Sequence, residues 1–233
     1  MPTFVLVHGA WHGGWCWDKV RRALEEAGGT VYTPTLTGLG ERAHLASREV
    51  GLDTHIQDVV GLLEFERLAG VTLVGHSYAG VVVTAVADRL PRRIARLVYL
   101  DAVVPRNQQC LFDCAGPDFR ARIEGQVSVD GEGWKIPVPS APSLGLVERE
   151  DIEWTMPRLV PHPARTFREA VALRAETTGL ARSYINCIGA GATGGPRSAQ
   201  AEGIHDYHEI PTGHDAMVTA PSAVSRLLLH IAR

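Results

Sequence analysis

The residues whose types and spacing could do chemistry lie in Val71-Thr-Leu-Val-Gly-His-Ser-Tyr-Ala-Gly80. A short apolar, β-branched run leads into Gly75-His76-Ser77-Tyr78-Ala79-Gly80 and then into a helix-compatible stretch, which reads as a G-x-S-x-G nucleophile elbow. A serine on so sharp a strand-to-helix turn is held in a strained backbone conformation, so its neighbours must be nearly free of side chains. Gly75, Gly80 and the small Ala79 supply that room. The turn lifts the Ser77 hydroxyl above the sheet edge, and the helix N-terminus, with the Tyr78 N–H, faces a developing oxyanion.

A serine hydroxyl needs a base, and histidine titrates closest to neutral pH. Of the ten histidines, His76 is locked inside the elbow, facing away from where Ser77 points. His8 and His12 flank a glycine-rich loop, and most others stand in no motif. His214 follows a terminal strand on a Thr-Gly-His-Asp loop and comes after both the serine and a candidate acid, so it is the expected base.

The elements that must position these residues alternate. Phe4–Val7 reads as a buried strand, followed by a loop, His8 to Trp17, in which glycines and tryptophans mix. A helix over Asp18–Ala27 stops at Gly28-Gly29, and Thr30–Thr33 is the next strand. Leu52–Leu68 has helical spacing, Val81–Leu90 follows the elbow, and Ile94–Leu100 is a strand ending in Asp101. From Val104 to about Leu180 prolines crowd in among short helical patches and apolar residues such as Trp134 and Trp154, the texture of an inserted cap. Ser183–Ile188 and His205–Ile210 return to strand character, and Pro221–Ile231 closes with a helix. The alternation predicts an α/β fold with a mostly parallel sheet and its site at the strand C-terminal ends.

Bulk properties exclude other classes. At 233 residues the chain suits one α/β domain, and a net charge of −3 gives no electrostatic case for nucleic acid or anionic membrane. No apolar run is long enough to span a bilayer, and the N-terminal apolar run reads as a first strand rather than a signal peptide. Cys16, Cys110, Cys114 and Cys187 lack zinc-type pairing, so no metal is expected, and free thiols fit a cytoplasmic location.

The segments Val5 to Trp17, Gly75-His-Ser-Tyr-Ala-Gly80 and Gly213-His214-Asp-Ala-Met217 resemble the α/β-hydrolase superfamily, in the branch of plant methylesterases, hydroxynitrile lyases and related bacterial esterases. The similarity covers the core, about 1–104 and 180–233, and is weak in a helical cap at 105–179. It implies an oxyanion hole from the backbone N–H groups of Ala10 and Tyr78, a pocket between core and cap, and Trp11 and His12 near its mouth. Trp134, among the apolar residues of the cap, is a further expected substrate contact. Serine, acid, histidine is also the superfamily's chain order. The resemblance places the acid after the penultimate strand, near Ala190, yet Gly189 to Gly195 contains no carboxylate. Glu202 and Asp206 come later, and Asp215 is too close to His214 to bend back to its ring. Asp101 is left, with the acid one strand earlier, as in haloalkane dehalogenases; the alternative is a buried Asp101 that only bonds loop backbone.

The expected function is a cofactor-free serine carboxylic-ester hydrolase acting on a small or medium apolar or aromatic ester. Lyases of the resembling branch carry a lysine after the catalytic histidine and a threonine after the first-loop histidine, where this chain has Asp215 and Gly9. Thioesterase, lactone-forming or decarboxylating chemistry is a further alternative, as is a ligand receptor built on a hydrolase. A homodimer is expected from the resemblance alone.

Overall fold

The computed structural model describes residues 1–174, 179–189, 204 and 206–233. Its centre is a six-stranded sheet in the order β2-β1-β3-β4-β7-β8, every pair parallel. The strands are β1 (Thr3–Val7), β2 (Thr30–Tyr32), β3 (Val71–His76), β4 (Ile94–Leu100), β7 (Ala181–Cys187) and β8 (Asp206–Ile210). Parallel neighbours require crossovers, which α1 (Asp18–Glu26), α2 (Leu52–Phe65) and α3 (Ala79–Arg89) supply. β3 sits between β1 and β4 and is buried at every position, which is why its sequence is a near-continuous apolar run.

Side chains alternate across the sheet with the two-residue strand period. Leu73, Leu97 and Tyr99 pack on one face with residues of α2 and α3. Val74, Val98 and Leu100 pack on the other with residues of α1 and of the closing helix α9 (Pro221–Ile231). A short α8 (Ala216–Thr219) follows the loop that carries His214.

Between β4 and β7 lie α4 (Leu111–Ala115), α5 (Pro117–Val129), α6 (Arg149–Thr155) and α7 (Arg165–Arg168). The expectation was helices alone, but β5 (Lys135–Ile136) and β6 (His162–Pro163) also pair antiparallel here. The prolines that break helical periodicity in this region leave extended backbone free to pair. Strand and helix limits elsewhere differ from the sequence reading by one to three residues at most ends, as fraying ends do.

Candidate active site

Ser77 lies between the last residue of β3 and the start of α3, with φ of 55°. That left-handed conformation is costly for a residue with a Cβ, and three backbone bonds hold it. Ser77 N–H donates to the Leu100 carbonyl at 3.2 Å, and the Ser77 carbonyl accepts from Gly80 N at 3.1 Å and Val103 N at 3.0 Å. The elbow is thus tied to the end of β4. A Cβ on Gly75 would come within 2.8 Å of the Ala79 carbonyl oxygen, and one on Gly80 within 1.9 Å of the Val103 carbonyl oxygen. Strictly, the residue two after the serine is Ala79, not glycine. Gly80 serves the packing of α3 against the 101–104 loop instead.

Asp101 caps β4 in a second left-handed conformation, φ of 41°, and its N–H donates to the Ile185 carbonyl at 2.8 Å. The bend turns its side chain along the rim toward the loop after β8. There His214 Nδ1 donates to Asp101 Oδ2 at 2.5 Å, and Ser77 Oγ donates to His214 Nε2 at 2.9 Å. Asp101 and His214 are buried, while Ser77 is partly exposed. The three side chains picked from the sequence meet in one chain of hydrogen bonds. Its chemistry is familiar: a carboxylate fixes the imidazole tautomer, leaving Nε2 unprotonated toward a hydroxyl.

Ala10 and Tyr78 are buried, and among the described residues neither backbone N–H donates to a protein acceptor. Buried N–H groups are nearly always paired, so two unpaired ones beside a serine suit a transient anion.

The other expected contacts have varied surroundings. His12 is 1% exposed; its Nε2 faces Asp215 Oδ2 at 3.1 Å and its Nδ1 the Ala10 carbonyl at 2.7 Å. A buried carboxylate draws it inward. Trp134 lines a separate cavity of about 190 Å³ whose walls include Arg48, Arg165 and Arg168 and none of Ser77, His214 or Asp101. Its ring stacks under Arg48 and Lys135, cations that hold it at the surface. Trp11 does lie where the chain between β4 and β7 meets the core. Its indole Nε1 donates to the Ile136 carbonyl at 3.2 Å, and its carbonyl accepts from Val160 N at 3.0 Å. His76 does more than fill the elbow, because its Nε2 donates to the His214 carbonyl at 3.0 Å. The residues expected to carry a conventional acid, around Ala190, and Glu202 and His205 lie outside the described residues.

Histidines crowd this region. His8 Nδ1 donates to the Gly9 carbonyl while Nε2 accepts from Leu36 N at 3.0 Å. His55 Nε2 donates to the Thr37 carbonyl while Nδ1 accepts from Tyr78 Oη at 2.9 Å. His162 Nε2 donates to Thr166 Oγ1, which itself donates to the Pro163 carbonyl, and Nδ1 faces the Trp11 N–H. Each of these rings is bonded as a neutral imidazole. Burial accordingly pushes His8 down to about 3, His55 to about 4, His76 to about 3 and His162 well below the ordinary value. No group of metal-ligating side chains occurs among the described residues.

Residues 4–227 match the sequence pattern of the alpha/beta hydrolase family. The chain belongs to that family. It is 38% identical to a carbendazim hydrolyzing esterase of Nocardioides sp. (strain SG-4G), with 98% of each chain covered. Methylesterase 10 of Arabidopsis thaliana is 28% identical over 98% of this chain and 91% of its own. In structure the chain resembles an extracellular alpha/beta-hydrolase from a Paenibacillus species, described as sharing structural and functional homology with tobacco salicylic acid binding protein 2. The TM-score is 0.87 at 23% identity, with both chains covered completely. The fold expected from the sequence, a parallel sheet flanked by helices, is the one observed, and the full-length relatives are esterases.

Proposed function

We propose that this protein hydrolyses carboxylic esters, with Ser77 as nucleophile, His214 as base and Asp101 as the acid that orients it. The observation that carries this reading is the unbroken contact from Asp101 Oδ2 through the His214 ring to Ser77 Oγ, at 2.5 and 2.9 Å. Ser77 Oγ attacks the acyl carbon as its proton passes to His214 Nε2. Asp101 stabilises the imidazolium, and the Ala10 and Tyr78 N–H groups take the oxyanion. The tetrahedral intermediate collapses as His214 protonates the leaving alcohol. Water, deprotonated by His214, then releases the acid and regenerates Ser77. No step calls for a cofactor.

The substrate class is a small or medium apolar or aromatic ester. Trp11, partly exposed beside the elbow at the edge of the aromatic cluster of Tyr78, His162 and Phe167, supports it. The names of the relatives put carbendazim and methyl esters first among compounds to assay. Lyase chemistry finds less support. A threonine in place of Gly9 would bring its Cβ to 2.9 Å from His76 Nδ1 and 3.0 Å from Ser77 Cβ. Asp215, in the place of the lyase lysine, is buried against His12. We also place the protein in the cytoplasm as a homodimer; the four free cysteines support the first of these, and among the described residues no helix is long and apolar enough to cross a membrane.

The test is hydrolysis of p-nitrophenyl acetate, methyl esters and carbendazim by the native chain and by Ser77→Ala, with fluorophosphonate labelling in parallel. Labelling and turnover that both vanish in Ser77→Ala are the expected result. Turnover that survives that substitution, or a native chain that takes neither label nor ester, refutes the proposal.

A further inference from the structure

Asp215 and His12 form a buried pair that the steps above do not use. The carboxylate has no solvent exposure, and its Oδ2 lies 3.1 Å from His12 Nε2. The other imidazole nitrogen, Nδ1, lies 2.7 Å from the Ala10 carbonyl. Both nitrogens therefore face acceptors, and only the doubly protonated ring satisfies both. This separates His12 from His8, His55 and His162, each of which has a donor facing one nitrogen. The nearby Asp215 charge raises His12 against the opposing effect of burial, and His12 in turn holds Asp215 below its ordinary value although burial acts to raise it. Trp15 stacks on the same imidazole at 5.7 Å between centroids, a favourable neighbour for a cation.

An ion pair so deep gains little net stability, because the desolvation of both charges offsets their attraction. Its position is informative. His12 and Ala10 belong to the loop after β1, and Asp215 directly follows His214 in the loop after β8. The same backbone is held at two further points: His76 Nε2 donates to the His214 carbonyl at 3.0 Å, and Asp215 N–H donates to the Leu144 carbonyl at 2.9 Å.

We propose that the His12–Asp215 pair is a clamp for the ester reaction, fixing the loop that carries the base to the loop that presents the Ala10 N–H. His12 and Asp215 are positioning residues; neither touches the reacting atoms. Without the clamp the two loops move independently, and a displacement of about 1 Å between base, nucleophile and oxyanion donor can cost about 100-fold in rate. Substrate binding, which does not depend on that registration, is left nearly as it was. The inference rests on the ester-hydrolase reading of Ser77 and His214.

The test compares Asp215→Asn, His12→Gln and the double variant. The readouts are kcat and KM for p-nitrophenyl acetate, the fluorophosphonate labelling rate of Ser77, and the unfolding midpoint. Each single change is expected to lower kcat and labelling about 10- to 100-fold with KM within about threefold. The double variant should fall about as far as the worse single one, since the pair acts as a unit. It strands no buried charge, so it decides the matter if a single variant does not fold. Native-like kcat in the double variant, a loss confined to KM, losses that multiply, or failure of all three to fold would each overturn the clamp. An inactive Ser77→Ala beside a fully active double variant refutes the clamp alone. An active Ser77→Ala refutes the reading beneath it.

Discussion

Acidification should unfold this protein early, and the buried neutral histidines set the size of the effect. His8, His55, His76 and His162 are all depressed by burial, the first three to about 3, 4 and 3. In the unfolded chain each titrates near 6.5, so below that pH the unfolded state takes up protons that the folded state refuses. A histidine whose folded pKa is lowered contributes stability that is present above its unfolded value and lost as pH falls from there toward the folded value. Between pH 7.0 and 5.5 one such group costs about 1.3 kcal/mol, and four together about 5 kcal/mol. The whole stability of a domain is about 5–15 kcal/mol. Two other groups behave differently: His12 offsets a small part of this loss between pH 7.0 and 6.5, and Asp215 lies outside the window. His12 is raised, so its contribution persists at low pH and fades only as pH rises through its folded value; Asp215 is lowered and gives up its contribution only below the ordinary carboxylate range. The assay is urea unfolding at half-unit steps from pH 7.5 to 5.0, at constant ionic strength. A drop of about 5 kcal/mol by pH 5.5 is expected, with about a quarter of it removed in His55→Gln. A change below about 1 kcal/mol over that range would mean that the four rings accept protons in place, and the reasoning fails.

Three further outcomes follow from individual contacts. Asp101→Asn keeps the shape of the β4 terminus but offers an amide where His214 Nδ1–H needs an acceptor, so kcat for p-nitrophenyl acetate should fall about 10³- to 10⁴-fold with little change in unfolding midpoint. Tyr78→Phe removes the hydroxyl that donates to His55 and leaves the Tyr78 N–H in place; it should cost about 1–3 kcal/mol in urea unfolding and less than about threefold in kcat. Gly80→Ala forces a methyl to within 1.9 Å of the Val103 carbonyl oxygen and should destabilise by about 1–3 kcal/mol or more, with activity falling as the elbow shifts.

The parts of the site legible in the sequence were those with local signatures. The elbow shows itself through a buried strand, small neighbours and a following helix within a dozen residues, and His214 through its place after the last strand. Asp101 could be reached by elimination because a strand end is readable, even though its left-handed bend is not. The His12–Asp215 pair joins residues 203 positions apart, and no periodicity in either segment marks it. A signal did exist: an aspartate directly after the expected base, useless to that base, and a histidine in the oxyanion loop. The surroundings of Trp134 were not legible, because aromatic content shows that a side chain must pack, not against what. Its partners are the cations Arg48 and Lys135, which no motif or spacing links to it. The β5–β6 pairing was missed because strands of two residues are too short to show alternation.

The loop bearing His214 leaves β8, passes over the tip of β7 and comes down beside β4. Where it crosses, Gly189 N–H donates to the Thr212 carbonyl at 2.8 Å, and a Cβ on Gly189 would lie 2.6 Å from the Thr212 carbonyl carbon. The base is consequently moored from two strand tips, its backbone at the end of β7 and its ring at the end of β4. A change that loosens the β7 end would therefore be felt at the imidazole even though no side chain of β7 touches the ring.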